Sequence, residues 1–324
     1  MKTSRRRILQ VGLAATFLTR ISPSAAYADV SQALPAAVVA KPALATCWAT
    51  QHSARPRVAL TRTPAGAAGA LRAVGGVISG TQINFTGAGG TLTDWDLKGY
   101  QVNVNGNGTW VFNDCLLGLN GVTEVYTLLV ASSGSPSVTF NFCKFVLAAH
   151  HVDWGGAVVL PGAQKTTFND CSFLDGNAIA VYMLSDADFN RCYHNATGKN
   201  CSADAHLELL KANNCTINTV DCLFDGRDGV LHTPGVNGGM SGLNFCSADK
   251  APLAWTATRC IYINALGMGA TYTMQVGRTG ASASSFTAID CAISKGKSSW
   301  LGVSGGATYT ATRCIDWDTL RNVR

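Results

Sequence analysis

The sequence predicts an all-β solenoid with a stacked cysteine ladder, and three observations carry that prediction. The 324 residues include 34 glycines, and only 14% are charged, a composition that suits short strands joined by turns better than amphipathic helices. Eight segments share one alternating strand pattern around a single cysteine: "WVFNDCLL", "VTFNFCKF", "TTFNDCSF", "ADFNRCYH", "TINTVDCLF", "WTATRCIYI", "FTAIDCAI" and "TYTATRCI". Their cysteines are Cys115, Cys143, Cys171, Cys192, Cys222, Cys260, Cys291 and Cys314, spaced by 28, 28, 21 and 30 residues over the first five, and Cys246 in "GLNFC" reads as a ninth. A period of roughly 20 to 30 residues with two or three short strands marks coils that stack to bury one continuous core.

Residues 1–28 are set apart from the fold. A charged start, "SRRRILQ", is followed by the apolar run "VGLAATFL" and by "AYA" before Asp29, the three parts of a cleaved export signal. The leader resembles the twin-arginine type, with Ser4, Arg5, Arg6, Ile8 and Leu9 standing where its S-R-R-x-F-L pattern falls and Ile8 replacing the phenylalanine. That resemblance implies a chain that folds before export and ends in the bacterial periplasm or outside the cell. Without the leader's Lys2, Arg5, Arg6, Arg7 and Arg20 the chain has 20 basic and 19 acidic residues, so the formal net charge falls from +6 to +1. This balance argues against nucleic acid as a partner. No further run is long and apolar enough to span a membrane once the signal is removed.

Residues 29–80 are rich in Ala, Pro and Gly, as in "LPAAVVAKPALA", and fit either an N-terminal cap with a short helix or a flexible lead-in. The solenoid is expected over 81–324. Between its cysteine segments run second strands, "YTLLVA", "GAVVLPG", "AIAVYML", "HLELLK", "GVLHTPG", "YTMQV" and "WLGV". One cysteine per coil in a parallel ladder gives thiols about 4.8 Å apart whose side chains run parallel, a poor geometry for disulfides. The ladder is therefore read as a mostly reduced apolar stack. Cys47, Cys201 and Cys215 lie off it, and the last two could pair. No zinc-type spacing, phosphate-binding loop, dinucleotide fingerprint or serine-nucleophile elbow occurs, so neither a metal nor a cofactor is expected. The final strand ends close to Arg324, and an open solenoid end is a template for strand pairing, which leaves oligomerisation open.

The architecture over roughly residues 80 to 318 resembles the single-stranded right-handed parallel β-helix of the pectate lyase superfamily. In "HLELL", alternation sends Leu207 and Leu209 inward and His206 and Glu208 outward, and in "IAVYML" it sends Tyr182 outward. Tyr182 precedes Glu208 by 26 residues, Glu208 precedes His232 by 24, and Glu208 and His232 each precede a cysteine by 14 (Cys222 and Cys246), so one outward column is expected. A His-x-Glu strand followed a coil later by "VLHT" is similar to the H-S-E and T-A-H strands of bacterial members of that superfamily. Polygalacturonase motifs are absent.

The expected partner is a polysaccharide or oligosaccharide substrate, with Glu208, His206, His232 and Asp228 as catalytic candidates. Tyr182, Arg227, Asp225, Lys211 and Trp154 are substrate-binding candidates, the last in "AHHVDWGG" beside His150 and His151. Glycoside hydrolysis needs two carboxyls about 5 to 9.5 Å apart, which carboxylates on adjacent coils could supply, and it is the favoured expectation. The alternatives are a polysaccharide lyase, using Tyr182, Lys211 or Arg227 as base and cation, and a non-catalytic glycan-binding or envelope β-helix. Each candidate also has a plain role: an outward Glu with a flanking His is often only solvated surface, and Trp255, Trp300 and Trp317 are read as packing or capping residues.

Overall fold

The computed structural model describes residues 34–119, 126–147, 156–176, 179–196, 208–227, 242–247, 253–264, 272–277, 283–296 and 299–323. Over these residues the chain is a parallel β-helix. Three sheets of ten, nine and eight strands run along it, and each coil visits them in the same order. Gln101–Gly106 lies in the first sheet, Thr109–Asn113 in the second and Leu116–Gly118 in the third, after which Leu128–Gly134 returns to the first. All pairings among these strands are parallel except the N-terminal hairpin of Gly76–Ser79 with Gln82–Phe85, which closes the first coil together with the helix Ala68–Ala73 and its buried Leu71.

The corner between the second and third sheets explains the cysteine motif. The residue before each ladder cysteine is left-handed: Asp114, Phe142, Asp170, Arg191, Asp221, Arg259, Asp290 and Arg313 have φ between 52° and 57°. One such residue turns the chain sharply enough to start the next strand almost at once, at a cost of about 1 to 2 kcal/mol for a non-glycine residue. Opposite charges on stacked corners offset part of that cost. Arg191 pairs with Asp170 at 2.7 Å, Arg259 with Asp221 at 2.8 Å and Arg313 with Asp290 at 2.6 Å. Each buried thiol then donates to a carbonyl one coil back, as Cys143 does to Phe112 at 3.4 Å and Cys222 to Phe189 at 3.2 Å. Cysteine suits this site because it is small, apolar and still a weak donor.

Cys47, Cys215 and the eight ladder cysteines from Cys115 to Cys314 are free and buried. Cys246 is not among the ladder residues: it sits in the first sheet, in register with Ala212 and Val276. Cys215, whose pairing with Cys201 the sequence left open, is a free thiol that approaches the Met183 carbonyl at 3.6 Å; Cys201 lies outside the described residues. Burial pushes the thiols of Cys143, Cys171, Cys222 and Cys291 well up, and that of Cys215 to about 12. Because the reagent must reach the sulfur and all ten of these cysteines are buried, they are expected to resist maleimide in the native protein and to react on unfolding. Mass spectrometry of labelled peptides checks this, and rapid native labelling of the ladder would contradict it.

Inside, aromatic rings stack coil on coil. Phe112, Phe140, Phe168 and Phe189 form one column with centroid separations of 4.8, 5.2 and 4.8 Å. Phe145, Phe173, His194, Phe224 and Tyr262 form another, at 4.7, 4.6, 4.5 and 4.7 Å. Outside, the amides of Asn113, Asn141, Asn169 and Asn190 link into a ladder of 2.9 Å hydrogen bonds on the second sheet. Identical residues recur because stacked strands give each position the same neighbours above and below.

The described part of the Ala/Pro-rich lead-in is a strap. From Leu34 to Arg62 it runs along the cysteine corner against the direction in which the coils accumulate. Lys41 bonds Asp290 and the Arg313 carbonyl, Cys47 the Cys222 carbonyl at 2.9 Å, and Arg55 the carbonyls of Asp170 and Arg191. Arg57 makes a bidentate pair with Asp114 and lies 3.4 Å from the Phe142 ring centroid, and Arg62 pairs with Asp94. Arg313 and Lys41 together hold the Asp290 carboxyl well below the usual carboxylate range. Val38, Leu44 and Cys47 bury a second small core against Leu223, Ile261, Ile263 and Ala292 on the outer face of the third sheet.

Candidate functional site

Connection lengths distinguish the corners. The second sheet passes to the third through a left-handed residue and its cysteine, whereas the third returns to the first through longer segments, such as Val146 to Ala157, Ala196 to Leu210 and Asp225 to Gly242. Loops on a rigid scaffold commonly carry function, and this corner holds most of the candidates. Glu208 and Lys211 stand where the chain re-enters the first sheet, and Asp225 and Arg227 stand where it leaves the third. His206, Asp228, His232, Trp154, His150 and His151 fall in its connections and lie outside the described residues.

Backbone register revises the expected column. Tyr182 is opposite Lys211, whereas Glu208 is bridged to Ile179, three residues earlier on the neighbouring coil. Residue counts failed here because connections of different length separate the coils, and only strand hydrogen bonding sets which residues align. Cys246 also lies off the ladder, so the matching intervals to Cys222 and Cys246 are not equivalent and give no alignment for His232, which lies outside the described residues. The strand expected over "HLELLK" begins only at Leu210, so Leu209 and Leu210 are both buried and alternation does not carry Glu208 outward. Glu208 is 2% exposed, its carboxylate 3.6 Å from the Lys211 ammonium.

The outward face of the first sheet is the site these residues share. Its inward positions, such as Val102, Leu128, Ala157, Val181, Leu210 and Met274, belong to the core. Between them, register draws one outward column through Asn84, Asn103, Leu129, Val158, Tyr182 and Lys211, and past Phe245 to Gln275 and Gly302. Along this face Asn103, Val158 and Gln275 are buried, while Leu129, Tyr182 and Lys211 are partly exposed. The Lys211 ammonium lies 5.4 Å from the Tyr182 ring centroid, with Glu208 next to it. A carboxylate and an aromatic face beside it hold the lysine head in position.

Asp225, expected as a substrate-binding residue, is engaged by a neighbouring side chain. It is buried and accepts two bonds from the Arg227 guanidinium, with Nε at 2.8 Å, and one from the Arg227 amide at 3.1 Å, while that guanidinium lies 5.3 Å from the Trp48 ring centroid on the strap. Trp48 in turn stacks on Trp317 at 5.5 Å. Sequence reasoning missed the part played by Trp48, since nothing local indicates that residue 48 meets residues 227 and 317. It also passed over Gln82, Asn84, Gln101, Asn103 and Asn105, although "QIN" and "QVNVN" show the alternation of a polar outward face.

Comparison of the chain with known proteins found no matching family model, no matching curated protein and no matching solved structure. The fold assignment therefore stands on strand register and the repeated corner. No helix among the described residues is long and apolar enough to cross a membrane.

Proposed function

We propose that this chain is an exported polysaccharide-acting enzyme of the pectate-lyase-like kind, delivered through a twin-arginine type leader, that holds a uronate-containing glycan along the first sheet and cleaves it by elimination. The observation that carries this reading is the register pairing of Tyr182 with Lys211, with Glu208 fixing the lysine from behind. Elimination needs a cation to neutralise the uronate carboxylate and a base to take the adjacent ring proton. Lys211 supplies the cation. Tyr182, in its ionised form, takes the C5 proton, the C4–O bond breaks as the C4=C5 bond forms, and the same phenol returns the proton to the departing oxygen.

Hydrolysis, the first expectation from the sequence, needs a second available carboxyl beside Glu208. Arg227 engages Asp225, which weakens that reading among the described residues. The test is turnover of uronate and neutral polysaccharides. A lyase releases unsaturated uronate products that absorb in the ultraviolet, and a hydrolase releases reducing ends without that absorbance. Tyr182→Phe is expected to lower kcat about 100-fold or more while leaving KM nearly unchanged. Lys211→Met is expected to act on uronate substrates more than on neutral ones. Reducing ends without ultraviolet absorbance would replace elimination with hydrolysis, and binding without turnover would leave a glycan-binding β-helix.

A further inference from the structure

The second sheet presents a face that neither the strap nor the proposed reactive residues use. Its outward positions form three register columns over nine strands, from Gly89–Thr93 to Thr308–Thr312, and each of these positions is at least partly exposed. The middle column holds Thr91, Thr139, Thr167, Thr256, Thr287 and Thr310. A second threonine or an asparagine often stands two residues on, as Asn141 does after Thr139 and Thr258 after Thr256. Pairing runs through the sheet without a bulge, whereas the first and third sheets each carry a register shift. Among the described residues, none of the six threonine hydroxyls bonds to another protein group, so all of them face solvent with their bonds unmade.

The same face excludes most occupants. Lys165 and Asp188 are its charged residues, and they neutralise each other at 2.6 Å, which leaves no free cation for a nucleic acid or an acidic polymer. Its outward positions include no aromatic ring, the usual platform for a sugar on an open surface. Val111, Val220, Ala254 and Ile289 are its apolar residues, and no two of them are paired in register, so it lacks the contiguous apolar area of a protein interface. What the face does offer is a repeat. Neighbouring strands set threonines about 4.8 Å apart along the axis, and alternate residues stand about 6.6 Å apart along each strand. That rectangle lies close to the oxygen repeats on a prism face of hexagonal ice. Threonine is stiff at χ1, and side-chain ladders such as Asn169 on Asn141 at 2.9 Å help a sheet to stay flat.

We infer that the outward face of the second sheet is an ice-binding surface. Each threonine supplies a hydroxyl that can bond a lattice water and a methyl group that displaces mobile water beside it. The array extends about 38 Å along the axis and about 13 Å across, so many weak contacts form at once on side chains that are already ordered. The Lys165 and Asp188 pair interrupts the middle of it, because charged groups hold their own hydration shells. This function goes beyond the proposed glycan cleavage and does not rest on it, since it uses a different sheet and none of Tyr182, Glu208 or Lys211.

The test is partition of the full chain between a slowly growing ice front and the remaining liquid, with crystal shape followed by microscopy. The parent is expected to enter the ice and to facet the crystals. Thr287→Lys places a mobile, strongly hydrated charge in the array and is expected to lower the ice-bound fraction about tenfold at an unchanged melting temperature. Lys165→Thr combined with Asp188→Thr removes both partners of the pair together and is expected to raise the ice-bound fraction, a gain that no folding defect would produce. Exclusion of the parent from ice would overturn the surface, and so would equal ice-bound fractions in the parent and both variants. Retention of the parent on microcrystalline cellulose together with exclusion from ice would also overturn it and give the face to a glycan. Polysaccharide turnover of the same samples is read separately, so the proposed function stands or falls without the ice result.

Discussion

Replacing Arg55 with methionine is expected to lower the unfolding free energy by about 3 kcal/mol or more, and to free the strap before the coils unfold. Arg55 is buried, and its guanidinium donates to the carbonyls of Thr50, Asp170 and Arg191. The last two belong to left-handed corner residues. Methionine fills similar space but donates nothing, so it leaves buried carbonyls unsatisfied at roughly 1 to 3 kcal/mol each. Denaturant unfolding measures the loss. Hydrogen exchange locates it, with early exchange expected over residues 34–62 and at the corners of Asp170 and Arg191. Exchange confined to the last coil would show that Lys41 and Trp48 hold the strap and that Arg55 does not.

Replacing His194 with phenylalanine is expected to raise stability by about 2 kcal/mol near neutral pH and to remove much of the protein's acid sensitivity. His194 is fully buried between Phe173 and Phe224, in a column where other coils place Phe or Tyr, and neither ring nitrogen has a hydrogen-bond partner. Burial, helped by the nearby charge of Arg55, lowers its pKa from 6.5 to about 3. The unfolded chain thus binds this proton below about pH 6.5, while the folded chain resists it down to about 3. Stability is fully present above the unfolded value and falls as the pH drops through that window, by about 5 kcal/mol at most. Phenylalanine has no proton to bind, so the parent and the variant should diverge progressively between pH 6.5 and 3 in urea titrations. Parallel pH profiles would show that carboxylates dominate the acid response.

Much of the fold was legible because a parallel ladder writes itself into the sequence. Each coil repeats the environment of the last, so Cys115, Cys143 and Cys171 recur with phenylalanine and asparagine at fixed offsets, and alternation around them reports the inward face. The same logic misplaced Cys246, which shares the residue type without the preceding left-handed corner; His232, whose alignment was drawn from it, lies outside the described residues. Tyr182 and Lys211 were both readable as candidates, but their partnership was not. It depends on strand register, which the varied connections at the third corner hide from any count of residues.

What the sequence by itself determined is local and periodic: the all-β solenoid, the stacked reduced cysteines and the inward aromatic positions. Tertiary structure decided everything that joins residues from different periods. It buried Glu208 beside Lys211, tied Asp225 to Arg227, placed the carboxamides of the first coils in line with Tyr182, and laid residues 34–62 along the corner from the last coils to the first. The physical reason is one of range. Propensity, alternation and repeat spacing act between neighbours in the chain or one coil apart. The strap, by contrast, is held by donors meeting carbonyls 115 to 272 residues away, which no local pattern encodes.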